Sequence, residues 1–340
     1  MDEDIKAPKI SVLLPVYNGG EYLQTAIDSI LNQTFSDFEF IIINDASTDD
    51  SEKVILSNTD SRIVYIKNEQ NLGLIKTLNK GLDLCKGEYI ARMDQDDIAN
   101  PTRFERQNNV LDHNLEIGVC GTWFTLFGTR ENTVVKHPEY HEQIKIAMLG
   151  NCPIGHPTVM LRKNNVGNLR YDVNYQAAED YEFWSRLVRI TQFHNIQESL
   201  LQYRIHNSNM SILENSTQIN NAKKITGNQL KIIGIENTDF NIEQCQILLG
   251  AIFKFRLSDD EFRKLVIFGN ELESQNQQTK FYDKEELHKI VHIQLLEALR
   301  KTVNKRLSTT SFLLKYRKEI ITKRNMTANI KMLARMILKK

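Results

Sequence analysis

Proline is scarce in this chain of 340 residues: there are six, and none falls in residues 216–340. A stretch without proline meets no obligatory break in a helix ladder, so the last third of the chain is free to form long helices. Cysteine is equally sparse. Cys85, Cys120, Cys152 and Cys245 lie far apart and form no C-x-x-C pair. That excludes a disulfide framework, suggests no zinc site, and leaves buried reduced thiols as the plain reading. Long apolar runs are missing too. The N-terminus is polar and acidic, residues 10–16 are too short for a signal-peptide core, and nothing approaches the roughly 18 apolar residues of a membrane span. The chain is therefore expected in the cytoplasm, with peripheral contact on the inner face of a membrane left open. There is no G-x-G-x-x-G after the first apolar run and no G-x-x-x-x-G-K-[ST], so a dinucleotide fold is poorly supported and a triphosphate-cradling loop is absent.

What is present is globular: 41% of residues are apolar and 25% charged, enough for one large domain and a smaller one. The 43 basic and 43 acidic side chains cancel, but unevenly. Residues 300–340 hold 13 Lys and Arg against one acid, Glu319, so an acidic body carries a basic tail.

The first half alternates short apolar runs with helical periods. Residues 9–15 (KISVLLP) suit a buried parallel strand, and residues 21–31 place Leu23, Ala26, Ile27, Ile30 and Leu31 at helix spacing. Strands are expected again at 38–44, 62–67 and 88–93, with a helix capped by Ser47 or Asp49 running to Leu56 and another over 74–84. Alternation of this kind predicts an α/β fold: a Rossmann-like, mostly parallel sheet with helices on both faces. Beyond Pro101 a helix is expected over 103–111, strands over 118–124 and 158–161, and a helix over 179–189 with Phe183, Leu187 and Ile190 on one side. An edge strand is expected over 200–205. The character changes near Ser216, which sets domains at 1–215 and, for an α-helical C-terminal region, 216–340. The Gln/Asn cluster at 274–278 reads as an inter-helix loop.

Several constellations carry chemistry. Residues 93–97 (MDQDD) put three carboxylates directly after an apolar strand, at the sheet edge where such folds bind ligands. Like charges this close need a cation or a hydrogen-bond network, and carboxylates shared with substrate phosphates are how magnesium or manganese is held. Asp97 has an alternative use as a cap for the helix after Pro101. Asp45 ends the second strand, where a carboxylate can accept the imide N–H of uracil, which cytosine lacks; Ser47 and Asp49 beside it are explained as well by helix capping. Pro15, Val16 and Tyr17 lead into a Gly19-Gly20 turn, and Tyr17 offers a ring for stacking on a base. Glu179 and Asp180 open a helix, where acids complement its dipole or supply a general base. His206 follows Tyr203, Arg204 and Ile205 into a polar loop.

Together these residues resemble the inverting family 2 glycosyltransferases of the glycosyltransferase A-type fold, from about residue 9 to residue 211. The ordered motifs are SVLLPVYNGGEYL, IINDASTDDS, NEQNLGLIKTLNKGL, GEYIARMDQDD, GHPTVMLRK, AEDYEFWSRL and YRIHNSNMS. The resemblance implies transfer of a hexose or N-acetylhexosamine from a nucleotide sugar, UDP-linked, to a hydroxyl of a saccharide or lipid-linked acceptor. It places this in cell-surface polysaccharide or lipopolysaccharide synthesis, with a divalent cation (Mn2+ or Mg2+) as cofactor. It makes Pro15, Val16, Tyr17 and Glu21 the wall around base and ribose, Asp45 the uracil-binding acid, and Asn71 with Gly73 part of the nucleotide pocket. It makes Asp94 and Asp96 the metal-binding pair, with Asp94 also near the ribose, His206 a further approach to the metal, and Asp180 in the Glu179-Asp180 pair the catalytic base. Where many members carry A-R-N, this chain has Thr77-Leu78-Asn79, so an arginine contact to diphosphate is lost there.

Three other readings remain. A binder of nucleotide sugars without transferase activity would be favoured by loss of the acids, which are present. A sugar nucleotidyltransferase would need a basic loop after the first strand, and residues 15–20 hold no Lys or Arg. Nucleic-acid binding through the tail finds few aromatics (Phe312, Tyr316) and no matching module. Lys331, Arg335 and Lys339 recur at helical spacing, giving either a basic ridge against anionic lipid or a helix with its basic face in water.

Overall fold

The computed structural model describes residues 7–129, 132–206, 214–250 and 257–300. The basic ridge at Lys331, Arg335 and Lys339, and the end of the YRIHNSNMS motif, lie outside the described residues. Contacts divide the chain into two compact units, Met1–Ile232 and Ile233–Lys340.

In the first unit, strands β1 (Ile10–Val16), β2 (Phe38–Asn44), β3 (Ile63–Lys67) and β4 (Tyr89–Arg92) pair in parallel in the order β3-β2-β1-β4. They are joined by helices α1 (Leu23–Leu31), α2 (Ser51–Leu56) and α3 (Leu74–Leu84). Every residue of β1 is buried, as its unbroken apolar run requires of a strand covered on both faces. Alternation sends Leu13, Ile41 and Ile43 to one core, with Leu78 of α3, and Val12, Leu14 and Ile42 to the other, with Ala26 and Ile27 of α1.

Past β4 the sheet ceases to be parallel. It continues through β8 (Met160–Arg162), β6 (Ile117–Gly128), β9 (Gln192–Ile205) and β5 (Ile98–Ala99), with β7 (Thr133–Val135) paired on β6. β4–β8, β8–β6, β9–β5 and β6–β7 are antiparallel, while β6–β9 is parallel. The parallel sheet expected from the alternation is thus the first half of a mixed one. The segment expected as an edge strand at 200–205 is the end of β9, which lies inside the sheet between β6 and β5. Its early part, QFHNIQES, is too polar to read as a strand from sequence. That polarity is absorbed by pairing: Asn195, fully buried, donates through Nδ2 to the carbonyls of Pro138 and Pro153.

Helix α4 (Arg103–His113) pins the turn from parallel to antiparallel. Arg103 is buried and donates through Nη2 to the carbonyls of Arg92 (2.8 Å) and Val159 (3.3 Å). Gln107 donates to those of Cys120 (2.6 Å) and Thr158 (2.8 Å). Two buried polar side chains thereby satisfy strand-end carbonyls beneath the acidic loop. Helix α5 (His141–Ala147), the single-turn α6 (Lys163–Val166) and α7 (Glu179–Leu187) complete this part. α7 stops at Leu187 and leaves Ile190 exposed, so Ile190 does not join the face formed by Phe183 and Leu187.

Helix α8 (Asn215–Ile232) packs on the first unit. The Tyr181 hydroxyl and Gln229 Nε2 both donate to the Met148 carbonyl at 2.8 Å, and Ile225 joins the core under α7. The compact unit therefore runs on to Ile232, beyond the boundary near 215 drawn from composition. The second unit holds α9 (Asp239–Leu249), α10 (Asp259–Thr279) and α11 (Lys284–Arg300). A reciprocal Ser258–Glu261 capping box starts α10. The Gln/Asn cluster at 274–278 falls inside this helix rather than in a loop, because glutamine is a good helix former and Asn276 exchanges two hydrogen bonds with Tyr282 across the turn.

Candidate active site

The carboxyl ends of β1 and β2 open side by side. Val16 pairs with Asn44, and the Asp45 amide donates to the Val16 carbonyl at 2.7 Å. Pro15 and Val16 are buried strand residues beneath this opening, whereas Tyr17 is 46% exposed. Asp49 Oδ1 accepts from the Ser51 amide at the start of α2 (3.0 Å), whereas Ser47 bonds no α2 amide. Ser47 and Asp49 accept from the Asn18 and Gly20 amides at 3.0 Å, and so knit the two loops together. Asn18 and Ala46 both hold positive φ (49° and 57°), a conformation that non-glycine residues avoid and that concentrates at functional loops.

Asp45 is 3% exposed and its carboxylate is well occupied: Oδ1 accepts from Asn68 Nδ2 (2.7 Å) and the Leu72 amide (2.9 Å), Oδ2 from the Gly73 amide (2.9 Å). It thereby folds the Asn71–Gly73 loop against the strand. Asn71 itself is exposed and accepts from the Gly73 amide. Glu21 stands exposed on the turn Gly20–Tyr22, and its link to the site runs through Tyr22, whose ring lies 5.1 Å from that of His206. Leu78, where many members carry arginine, is buried in the core, and Asn79 beside it exchanges two hydrogen bonds with the backbone of Tyr171, which ties α3 to the segment before α7.

The acidic loop is assembled by β9. Arg204 donates from Nε to the Asp96 carbonyl (2.8 Å) and from its amide to Asp97 Oδ1 (2.9 Å), and its guanidinium lies over the Tyr22 and Phe127 rings. His206 Nε2 is 2.8 Å from Asp96 Oδ2. Asp97, 1% exposed, caps no helix, and its Oδ2 has no hydrogen-bond partner. Asp94, Asp96 and Asp97 offer carboxylate oxygens all within 4.8 Å of one another. Burial, then the charge of Asp94, pushes both Asp96 and Asp97 above the usual carboxylate range. Three crowded acids with an orphaned buried oxygen form a donor set of hard oxygens that fits magnesium or manganese. Gln95, between the acids, joins this loop to the first: it accepts from the Tyr17 amide (2.9 Å) and donates to the Tyr17 carbonyl (3.1 Å).

Glu179 and Asp180 begin α7 after the N-cap Ala178, which follows Ala177, another non-glycine residue with positive φ (61°). Asp180 Oδ1 accepts from the Tyr181 amide at 2.7 Å. Burial, then the charge of Asp180, pushes the Glu179 carboxyl up to about 7. Burial raises Asp180 as well. Between this pair and the acidic loop stands Arg92, which the reading of the sequence passed over. Only 4% exposed, it forms an ion pair with Asp94, and its positive charge works against the raised pKa of both Glu179 and Asp180. Its Nε has no hydrogen-bond partner. A signal was available: a cation closing a fully buried strand, YIAR, has no place there unless acids lie within reach.

Residues 11–166 match the glycosyl transferase family 2. An uncharacterised glycosyltransferase of Haemophilus influenzae is 37% identical over 232 residues, 64% of this chain and 72% of that protein. The chain belongs to glycosyltransferase family 2. The O-antigen biosynthesis glycosyltransferase WbnJ of Escherichia coli is 35% identical over 207 residues, 58% of this chain and 73% of WbnJ. Among solved structures, that of Staphylococcus aureus TarS 1-349 in complex with UDP-GlcNAc matches with a TM-score of 0.56 at 16% identity, over 86% of this chain and 88% of that one. This last likeness establishes the glycosyltransferase A-type fold. Among the described residues, no helix is long and apolar enough to cross a membrane.

Proposed function

We propose that the chain is a metal-dependent, inverting glycosyltransferase that moves a hexose or N-acetylhexosamine from a UDP-sugar to a hydroxyl of a saccharide or lipid-linked acceptor, in cell-surface polysaccharide or lipopolysaccharide assembly. The observation that carries the reading is the grouping, at one sheet edge, of an acidic loop and a second acid pair around the buried Arg92. WbnJ, named for O-antigen biosynthesis, and TarS, solved with UDP-GlcNAc, support the pathway class and the uridine donor.

Each residue has a task it can perform. Asp45 Oδ2 carries one donor, and a carboxylate oxygen accepts two, so it has room for the uracil imide N–H. Tyr17 presents its exposed ring for the base to stack on, and the Asn71–Gly73 loop lines the pocket. Asp94 and Asp96, with His206 alongside, would hold the divalent cation, and Asp97 fixes the loop that carries them. When bound, that cation offsets the negative charge that develops on the departing diphosphate. Burial and the charge of Asp180 raise Glu179 to about 7 and burial raises Asp180 too, and Asp180, the second acid of the pair, is assigned as the base. Asp180 accepts the acceptor's hydroxyl proton as the new C1–O bond forms opposite the breaking bond to phosphate, so the anomeric configuration inverts. Arg92 favours the charged form of Asp180 beside so many acids.

The test is a panel of nucleotide sugars scored for UDP release, with manganese and with a chelator. The reading predicts manganese-dependent release from one or two UDP-sugars, abolished in Asp96→Ala. Release that persists in the chelator, or that prefers a non-uridine donor, would overturn the metal or the donor assignment respectively.

A further inference from the structure

The second unit carries a group of side chains that donor binding and transfer do not use. Helices α10 and α11 form a hairpin, closed at the turn by the paired hydrogen bonds between Asn276 and Tyr282 and by Lys280 in the left-handed region (φ 52°). On α11, His288 and His292 are spaced i, i+4, which sets both rings on one helix face; their centroids are 4.0 Å apart. On α10, Glu273 meets them, its Oε1 3.1 Å from His288 Nδ1. One nitrogen of each histidine and one carboxylate oxygen of Glu273 all lie within 4.8 Å of one another. Two rings and a carboxylate converge here between two helices, and His292 Nδ1 is shut off from solvent without a hydrogen-bond partner.

We propose that Glu273, His288 and His292 form a transition-metal site, of the class that takes zinc, which clips α10 to α11. Two imidazoles and one carboxylate are the donor set of three-ligand zinc sites, with water in the fourth place. Imidazole also separates this site from the all-oxygen loop around Asp94 and Asp96, which suits hard cations. Tetrahedral zinc with bonds near 2.0–2.1 Å needs donor atoms roughly 3.4 Å apart. The donors lie within 4.8 Å of one another and the Glu273–His288 pair, at 3.1 Å, is already near that spacing, so small χ adjustments in these half-buried side chains suffice.

The experiment titrates the full chain with Zn2+ by calorimetry in excess Mg2+, which keeps the acidic loop supplied with its preferred type of cation, and follows Co2+ substitution by visible absorption. The expected result is one Zn2+ per chain for the wild type and for Asp96→Ala, with Co2+ giving the intense bands of a low-coordinate site. In His288→Gln and in His292→Gln, affinity falls at least a hundredfold and the bands vanish; in Glu273→Gln it falls about tenfold. Each variant is checked for helix content and for unchanged manganese-dependent UDP binding, which separates loss of the site from loss of the fold. Because His288 is the more exposed of the two rings to alter, it keeps the test standing if His292→Gln fails to fold. Equal zinc binding in wild type and His288→Gln, or zinc binding that disappears in Asp96→Ala alone, overturns the proposal.

Discussion

At the scale of single residues, the site is governed by how a few buried charges are balanced. Arg92 is one cation among Asp94, Asp97, Glu179 and Asp180. Arg92→Met should leave those acids repelling one another and lower kcat/KM at least a hundredfold, about 2.7 kcal/mol of transition-state stabilisation. Arg92→Lys, which keeps the charge but not the fork, should recover part of it; a pH–rate profile would show the acid limb moving to higher pH in the Met variant only. Glu179 gives a stability test. Its folded pKa of about 7 lies above the ordinary Glu value near 4.3, so the folded state binds the extra proton between those values. Stability therefore falls as pH rises through that window, and above it the ionised carboxylate costs on the order of 2–4 kcal/mol. Glu179→Gln should thus be more stable than wild type at pH 8 and nearly equal to it at pH 4.5, as denaturant midpoints at the two pH values would show. The acids of this site were legible in the sequence because charge clustered after an apolar strand is conspicuous. Arg92 was missed because a lone cation at a strand end reads as noise until Glu179 and Asp180, more than eighty residues away, come into view beside it.

At the scale of elements, legibility followed periodicity. Helix α3 and strand β2 have the bounds their patterns predict, since each is an unbroken run of one period. β9 was read only in its last six residues, because a strand interior to a mixed sheet can hide polar residues on partners that lie far off in sequence, as Asn195 does. Ser47 and Asp49 read as well as helix caps; together with Gln95 they supply hydrogen bonds that tie the three loops to one another. Close approach between elements makes a separate prediction. Gly87 precedes β4 so tightly that an added Cβ would sit 2.5 Å from the Ser11 nitrogen and 2.7 Å from the Ile10 carbonyl carbon, both backbone atoms that cannot swing away. Gly87→Ala should cost about 1–3 kcal/mol. In a unit of this size that is a fall in Tm of a few degrees up to about 10 °C, to be read by calorimetry.

At the scale of the whole molecule, composition and structure divide the chain at different points. Onset of helical character marks residue 216, but α8 completes the core of the first unit through Ile225, Thr226 and Gln229 rather than opening the second. A chain ending at Ile232 should therefore fold and bind UDP with manganese, whereas one ending at residue 214 should expose the Tyr181 and Met148 surface and aggregate or unfold. Solubility and UDP calorimetry of the two truncations would decide between the divisions.

The central claim concerns Asp180, and separating binding from turnover tests it most directly. Asp180→Asn preserves the size of the side chain and its bond from the Tyr181 amide but removes the base. Calorimetry of UDP with manganese, paired with turnover at saturating donor and acceptor, should find affinity within about threefold of wild type and kcat lower by about a thousandfold, at the strong end of general-base effects. Near-normal turnover by Asp180→Asn under those conditions would contradict the account.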